Sequence, residues 1–111
     1  MSNFNQVILM GNLTRDPELS YTPGKTAVVE FGLAVNRKWK KQDGSEGDEV
    51  LFIDCQMYGK RAEVVNKHFT KGNSIFVQGR LRFEQWESGG KKHSRIWVLV
   101  ENFEFVGEKS K

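Results

Sequence analysis

Phe52, Asp54, Gln56 and Tyr58 fall on alternate positions, so any extended strand that carries them shows two rings, a carboxylate and an amide on one face. A second alternating set, Phe76, Arg80, Arg82 and Trp86, does the same with two guanidinium groups. A face holding an Asp and two Arg is not a buried one. Open to solvent, such rings stack on unpaired bases at about 1 to 3 kcal/mol each, and the guanidinium groups take phosphates or stack as well. The competing reading packs Phe52 and Tyr58 beneath a loop or into an oligomer interface.

Arg37-Lys38-Trp39-Lys40-Lys41 is the densest basic run, with an indole inside it at the start of a hairpin. The acidic cluster that follows, Glu46, Asp48 and Glu49, offers the alternative that this run is paired across the hairpin rather than free. Trp86, Lys91, Lys92, Arg95 and Trp97 repeat the mixture further on. Two basic, tryptophan-bearing hairpins beside an aromatic face describe a groove for a flexible polyanion with exposed bases.

Other chemistries find little support. The acidic tip lacks the alternating ligands of a calcium loop. His68 and His93 have no Cys or His at zinc spacing, so neither metal nor cofactor is expected. No phosphate-cradling glycine loop or nucleophile elbow is present, and Asp54 has no companion carboxylate on its own strand face, so the chain is read as a non-enzyme. Asn12-Leu13-Thr14 matches a glycosylation acceptor, and with no charged-then-apolar leader read at Met1 a chance match is expected.

These groups must be held by a small framework. The chain has 111 residues, 38% hydrophobic and 28% charged, which suits one domain with a core of its own. Its 17 Lys and Arg against 14 Asp and Glu leave a net charge of +3, which permits a nucleic-acid partner without proving one. One cysteine, Cys55, cannot pair within the chain, and no apolar run is long enough for a membrane, so a cytoplasmic, nucleoid-associated setting is expected.

Alternation and turn signals predict strands over Phe4 to Leu13, from Thr26 to the basic run, over Val50 to Tyr58, Ser74 to Trp86 and Ser94 to Phe105. A short extended piece holds Leu19 and Tyr21. Hairpin tips fall at Asp43 to Asp48 and Ser88 to Lys92. A helix is predicted over Arg61 to Lys71 with Gly72 as its C-cap. In the last strand Ile96, Val98 and Val100 share a parity that Phe103 and Phe105 lack, which calls for a bulge near Asn102. Three strands, one helix and two more strands predict an all-β fold. It is a five-stranded oligonucleotide-binding (OB) barrel with the helix between strands three and four and extended β-hairpins. The domain is assigned to residues 1–107, with a short tail over 108–111.

The chain also resembles the bacterial-type single-stranded DNA-binding proteins along nearly its whole length. The resemblance is carried by Asn5-Gln6-Val7-Ile8-Leu9-Met10-Gly11-Asn12-Leu13 with Asp16-Pro17-Glu18. Tyr58-Gly59-Lys60 with Ala62-Glu63-Val64, Lys71-Gly72, and Gly79-Arg80-Leu81-Arg82 with Trp86 add to it. It implies an OB-fold homotetramer, a dimer of dimers, that coats unpaired DNA in replication, recombination and repair without sequence preference or catalysis. Trp39, Phe52, Tyr58 and Trp86 stand at the family's stacking positions, Phe52 where Trp is common and Tyr58 where Phe is common. Ile53 stands where some relatives have a histidine that packs the tetramer. The family's usual acidic, phenylalanine-ended tip has no counterpart in Gly107-Glu108-Lys109-Ser110-Lys111, so recruitment of partner proteins through such a tip is not expected. The full expected interface is Arg37, Lys38, Trp39, Lys40, Phe52, Gln56, Tyr58, Arg80, Arg82, Trp86, Lys91, Lys92, Arg95 and Trp97. Protein-interaction and RNA-binding modules on the same barrel are the alternatives that the residues leave open.

Overall fold

An alternating run becomes a strand where one of its parities can be buried, and six runs do so here. They are β1 (Val7–Leu13), β2 (Glu18–Tyr21), β3 (Ala27–Lys40), β4 (Glu46–Tyr58), β5 (Ser74–Ser88) and β6 (Lys91–Phe105), with α1 (Lys60–His68) between β4 and β5. The computed structural model describes residues 2–107, and the tail expected at 108–111 lies outside the described residues.

β1 pairs antiparallel with β5 along Val7 to Asn12 and at its far end with β3, at Asn12–Ala34 and Leu13–Leu33. With β5–β6, β4–β3 and a parallel β4–β6 contact at Cys55–Val98 and Gln56–Leu99, this closes a barrel of five strands, and β2 extends it along the free side of β3. Closure needs Gly11. A Cβ there would stand 2.2 Å from the Ala34 carbonyl oxygen, so β1 crosses between its two partners only where the side chain is missing. The inner parities of β3 (Val29, Phe31, Leu33), β4 (Cys55, Met57) and β5 (Ile75, Val77) fill the barrel, and Ala62, Val65 and Phe69 seal one end.

The predicted barrel and bulge hold. The register shifts between Gln78 and Gly79, so that β6 supplies one extra residue, Glu101, between the partners Val100 and Asn102. This lets Val98, Val100 and Phe103 all point inward despite their opposite parities. Gly79 faces that bulge, and a Cβ on it would lie 2.0 Å from the Leu99 carbonyl oxygen.

Several boundaries move, each for a visible reason. β1 begins at Val7 rather than Phe4, because Asn5 turns its side-chain amide onto the backbone of Leu81, donating to its oxygen at 2.9 Å and accepting from its N–H at 3.0 Å. The helix ends at His68, not Lys71. Phe69 is extended, with φ −118° and ψ 144°, since its ring is drawn into the core against Phe103. Gly72, expected as the C-cap, instead takes φ 92° in the following turn and donates its N–H to the Leu13 oxygen. The second tip shrinks to Gly89-Gly90, with φ 59° and 78°, the conformation that two-residue hairpin turns require. In the first, β4 already starts at Glu46, because the Asp43 carboxylate accepts both the N–H and the hydroxyl of Ser45 and tightens the turn.

Candidate nucleic-acid interface

Directly paired residues of neighbouring strands share a face, so the register fixes which side chains meet. On the outer face of β3–β4–β6–β5, Glu30 stands beside Gln56, Leu99 and Arg80, and Gly32 beside Asp54. Trp97 stands beside Arg82, Ala34 beside Phe52, and Arg95 beside Glu84. Tyr58 and Trp86 lie at opposite ends of this sheet face. Phe52 is 70% exposed, Tyr58 48% and Trp86 43%, so three of the expected rings face solvent without any loop over them.

Trp39 is placed differently from its companions. It pairs with Gly47, whereas Lys38 and Lys40 pair with Asp48 and Glu46. By parity it therefore shares the pleat side of Arg37 and Glu49, not that of Phe52. Its ring lies across Gly47, where a Cβ would meet indole carbon at 2.6 Å, and the Arg37 guanidinium sits 4.6 Å from the ring centroid. Trp39 is half-exposed and fixed by these two neighbours.

The two hairpins differ in charge. The basic run of the β3–β4 arm meets its acidic cluster in register, and Arg37 makes a 2.9 Å ion pair with Glu49. Four cations there (Arg37, Lys38, Lys40, Lys41) face four carboxylates (Asp43, Glu46, Asp48, Glu49), so the arm carries no excess charge. From Arg80 to Arg95 five cations outnumber two carboxylates, and that arm supplies the field for a polyanion. Lys91 and Lys92 are exposed at its tip. Arg80 is paired with Glu101, while Arg82 makes no ion pair among the described residues.

Two expected residues are less open than the alternation suggests. Trp97 is only 9% exposed and lies in the middle of the face under the Arg82 and Arg95 guanidinium groups, 5.7 and 6.0 Å from its ring, so it is not an open stacking surface. Its parity is outward; it is covered rather than turned in. Arg95 is not a free cation either. Its Nε donates to Glu84 Oε1 at 2.9 Å, and its Nη1 lies 3.6 Å from Asp54 and 3.9 Å from Glu30. The hydrogen bond to Glu84 chiefly holds its pKa above the ordinary arginine range. Arg15 reaches the other oxygen of Asp54 at 3.6 Å, so Asp54 is a tether for arginines rather than a general base.

Residues the sequence reading passed over complete the surface. His93 stacks on Trp86 with centroids 5.5 Å apart and planes 20° from parallel. The signal for it was the glycine pair: a two-residue Gly89-Gly90 turn puts Trp86 opposite His93. A cleft of about 360 Å³ is lined by Glu84, Trp86 and Arg95. A second, of about 410 Å³, opens beside Tyr58, Lys60, Arg61 and Arg80. Arg61 lies over the Phe103 ring, 4.3 Å from its centroid, and donates to the Phe103 carbonyl oxygen. Nothing in the sequence pattern linked Arg15 or Arg61 to these partners, because both contacts cross between distant elements. Cys55 is buried in the barrel, and burial pushes its thiol up to about 12.

A closed five-stranded barrel with a helix between β4 and β5, opened on one side into two long arms, defines the OB class of fold. The chain belongs to the single-strand binding protein family, whose family model matches residues 4–106. It is similar to the single-stranded DNA-binding protein of Wolinella succinogenes, 46% identical over 107 residues, and to that of Helicobacter hepaticus, 47% identical over 107 residues. Each alignment covers 96% of this chain and 66% or 63% of the relative, so the chain spans a little under two thirds of the length of these curated relatives. Among solved structures, a deletion mutant of the Thermus aquaticus single-stranded DNA-binding protein superposes with TM-score 0.82 at 35% identity, over 94% of this chain and 51% of that one. A Plasmodium falciparum SSB in complex with ssDNA superposes with TM-score 0.88 at 19% identity, over 96% and 98%, and supports the fold alone.

Proposed function

We propose that this chain binds single-stranded DNA without sequence preference and shields it during replication, recombination and repair, as a non-enzymatic coat in the cytoplasm and on the nucleoid. The observation that carries this reading is the placement of Phe52, Tyr58 and Trp86, all solvent-facing, on the sheet that also presents Arg80 and Arg82. Rings accept any base, because every base has a π-face, and cations follow the backbone, so such a surface holds a strand without reading its sequence. Lys38 and Lys40, on the pleat side of Phe52, extend the track along one arm, with Trp39 and Arg37 on that arm's other side for a strand that wraps around it, and Lys91 and Lys92 extend it along the other arm. Family membership and the names of the relatives support the same assignment.

The assembly that fits is a homotetramer built as a dimer of dimers. Ile8 and Met10 sit on the outer face of β1, each 55% exposed, beside a partly buried Phe76, and an apolar strand face of this kind is suited to a copy of itself. Ile53 packs partly buried against the core.

Titration of intrinsic tryptophan fluorescence with oligo-dT, a matched RNA and duplex DNA at several salt concentrations tests the reading. Strong quenching by oligo-dT, far weaker quenching by duplex, and a log–log salt slope of about −0.7 per phosphate neutralised are expected. Equal affinity for duplex and single strand would replace it with a generic basic surface.

A further inference from the structure

Trp97 occupies the middle of the strand-binding face, yet it is covered, and its Nε1–H is buried with no hydrogen-bond partner. A buried indole N–H ordinarily finds an acceptor, so an orphan one at the centre of a functional face calls for an explanation. The two arginines over the ring differ. Arg95 is fixed by Glu84, Asp54 and Glu30 and forms a wall. Arg82, paired with Trp97 across β5 and β6, makes neither an ion pair nor a side-chain hydrogen bond among the described residues. Only its position over the ring holds it there.

We propose that Trp97 is a latent base platform whose movable cover is Arg82. This rests on the single-stranded DNA reading and deepens it. A backbone phosphate attracts the Arg82 guanidinium more strongly than the ring does, because a full opposite charge outweighs a ring quadrupole. The cation swings out to the phosphate, the indole face opens, and the base next to that phosphate stacks on it. The same step brings the orphan Nε1–H within reach of an acceptor on the base or the sugar–phosphate chain. Arg95 cannot follow, since three carboxylates hold it, and it therefore limits the opening to one side. Those carboxylates also keep phosphates off the centre of the sheet, so the strand meets Trp97 with its base inward. The strand thus gains a central contact between the Tyr58 end and the Trp86 end, and forms it only after a phosphate has been captured.

The test is nuclear Overhauser spectroscopy on the labelled full-length chain with oligo-dT, the three indole N–H signals being assigned from Trp39→Phe, Trp86→Phe and Trp97→Phe. Contacts from the Trp97 ring to thymine methyl protons, together with a saturable shift of its N–H signal, are the expected result. An oligomer of the same length with abasic sugars should give neither the ring contacts nor the full shift. Contacts from Trp39 or Trp86 to thymine with none from Trp97 would overturn the proposal and leave Trp97 a packing residue. No contact from any of the three would overturn the single-stranded DNA reading as well. In a second measurement, Arg82→Ala should raise acrylamide quenching of the tryptophan emission in the free protein, in a Trp39→Phe/Trp86→Phe background. Unchanged quenching there would mean that Arg82 is not the cover.

Discussion

Trp86 lies face to face with His93, one strand across, so one side of the indole is already occupied before any nucleic acid arrives. Trp86 also lines a cleft with Glu84 and Arg95, and a stacking base needs the indole face that His93 leaves free. His93 thus backs one face of the ring.

Removing this backing should weaken binding. Aromatic pairs are worth about 0.5 to 1.5 kcal/mol beyond their burial, so His93→Ala should lower oligo-dT affinity about two- to twelvefold, with His93→Phe restoring most of it. Fluorescence anisotropy of a labelled oligomer checks this. Tighter binding by His93→Ala would instead make the imidazole a competitor of the base.

Rings and cations contribute through different terms, and their variants should separate. Phe52→Ala, Tyr58→Ala or Trp86→Ala should each cost about 1 to 3 kcal/mol of binding with the salt slope nearly unchanged. Arg82→Ala should reduce the slope by about 0.7. Lys38→Ala and Lys40→Ala should change it less, because Asp48 and Glu46 stand opposite them. Titrations at several salt concentrations give both quantities at once. An unchanged slope in Arg82→Ala would remove that residue from the backbone track.

The barrel and most of this surface were legible in the sequence because strand alternation is a local property and burial of one parity forces it. The outward placement of Phe52, Tyr58 and Trp86 was legible from parity. The covering of Trp97 was not, since its parity is outward and its cover comes from Arg82 on another strand. The ion pairs of Arg95 were not legible, because Glu30, which helps to hold it, lies 65 positions away in the numbering. The balanced charge of the first arm stood in the sequence as one of two readings, and only the register of Lys38 with Asp48 and Lys40 with Glu46 decided between them.

Gly79→Ala should destabilise the fold. The added Cβ would meet the Leu99 carbonyl oxygen and the Glu101 nitrogen, both backbone atoms of the bulge, so the neighbour cannot rotate away. Overpacking of this kind costs about 1 to 3 kcal/mol, to be read as a lower urea midpoint at an unchanged slope. A wild-type midpoint would mean that the bulge relaxes freely.

Stability should fall in alkali through Cys55. Burial is the main cause of its raised pKa, about 12 in the folded chain against an ordinary value near 9, with the neighbouring Asp54 charge adding to it. Below pH 9 both states keep the proton and the contribution is fully present. Between pH 9 and 12 the unfolded chain loses the proton while the folded chain keeps it, so stability drops by up to about 1.4 kcal/mol per pH unit. Tyr21, raised by its hydrogen bond to Glu63, acts in the same direction, so the comparison must be with Cys55→Ala, whose decline should be shallower. Parallel declines in the two proteins would show that the thiol is not shielded.

Assembly gives the last test. β1 turns Ile8 and Met10 outward next to Phe76, and in a lone chain more than half of each side chain is open to water. Light scattering at micromolar concentration should return four times the 12.8 kDa chain mass. Replacing Ile8 and Met10 together by Glu should reduce the mass. If the strand were exposed in the working protein, both changes would be surface substitutions and would shift stability by no more than about 0.5 kcal/mol each. Across a self-pairing face each copy would bury carboxylates against those of its partner, an arrangement that like-charge repulsion and desolvation both oppose. The substituted chain should keep its β-type circular dichroism while losing the larger mass, which separates disassembly from unfolding. A wild-type protein that scatters as a 12.8 kDa monomer would refute the tetramer and leave the apolar face of β1 for another partner.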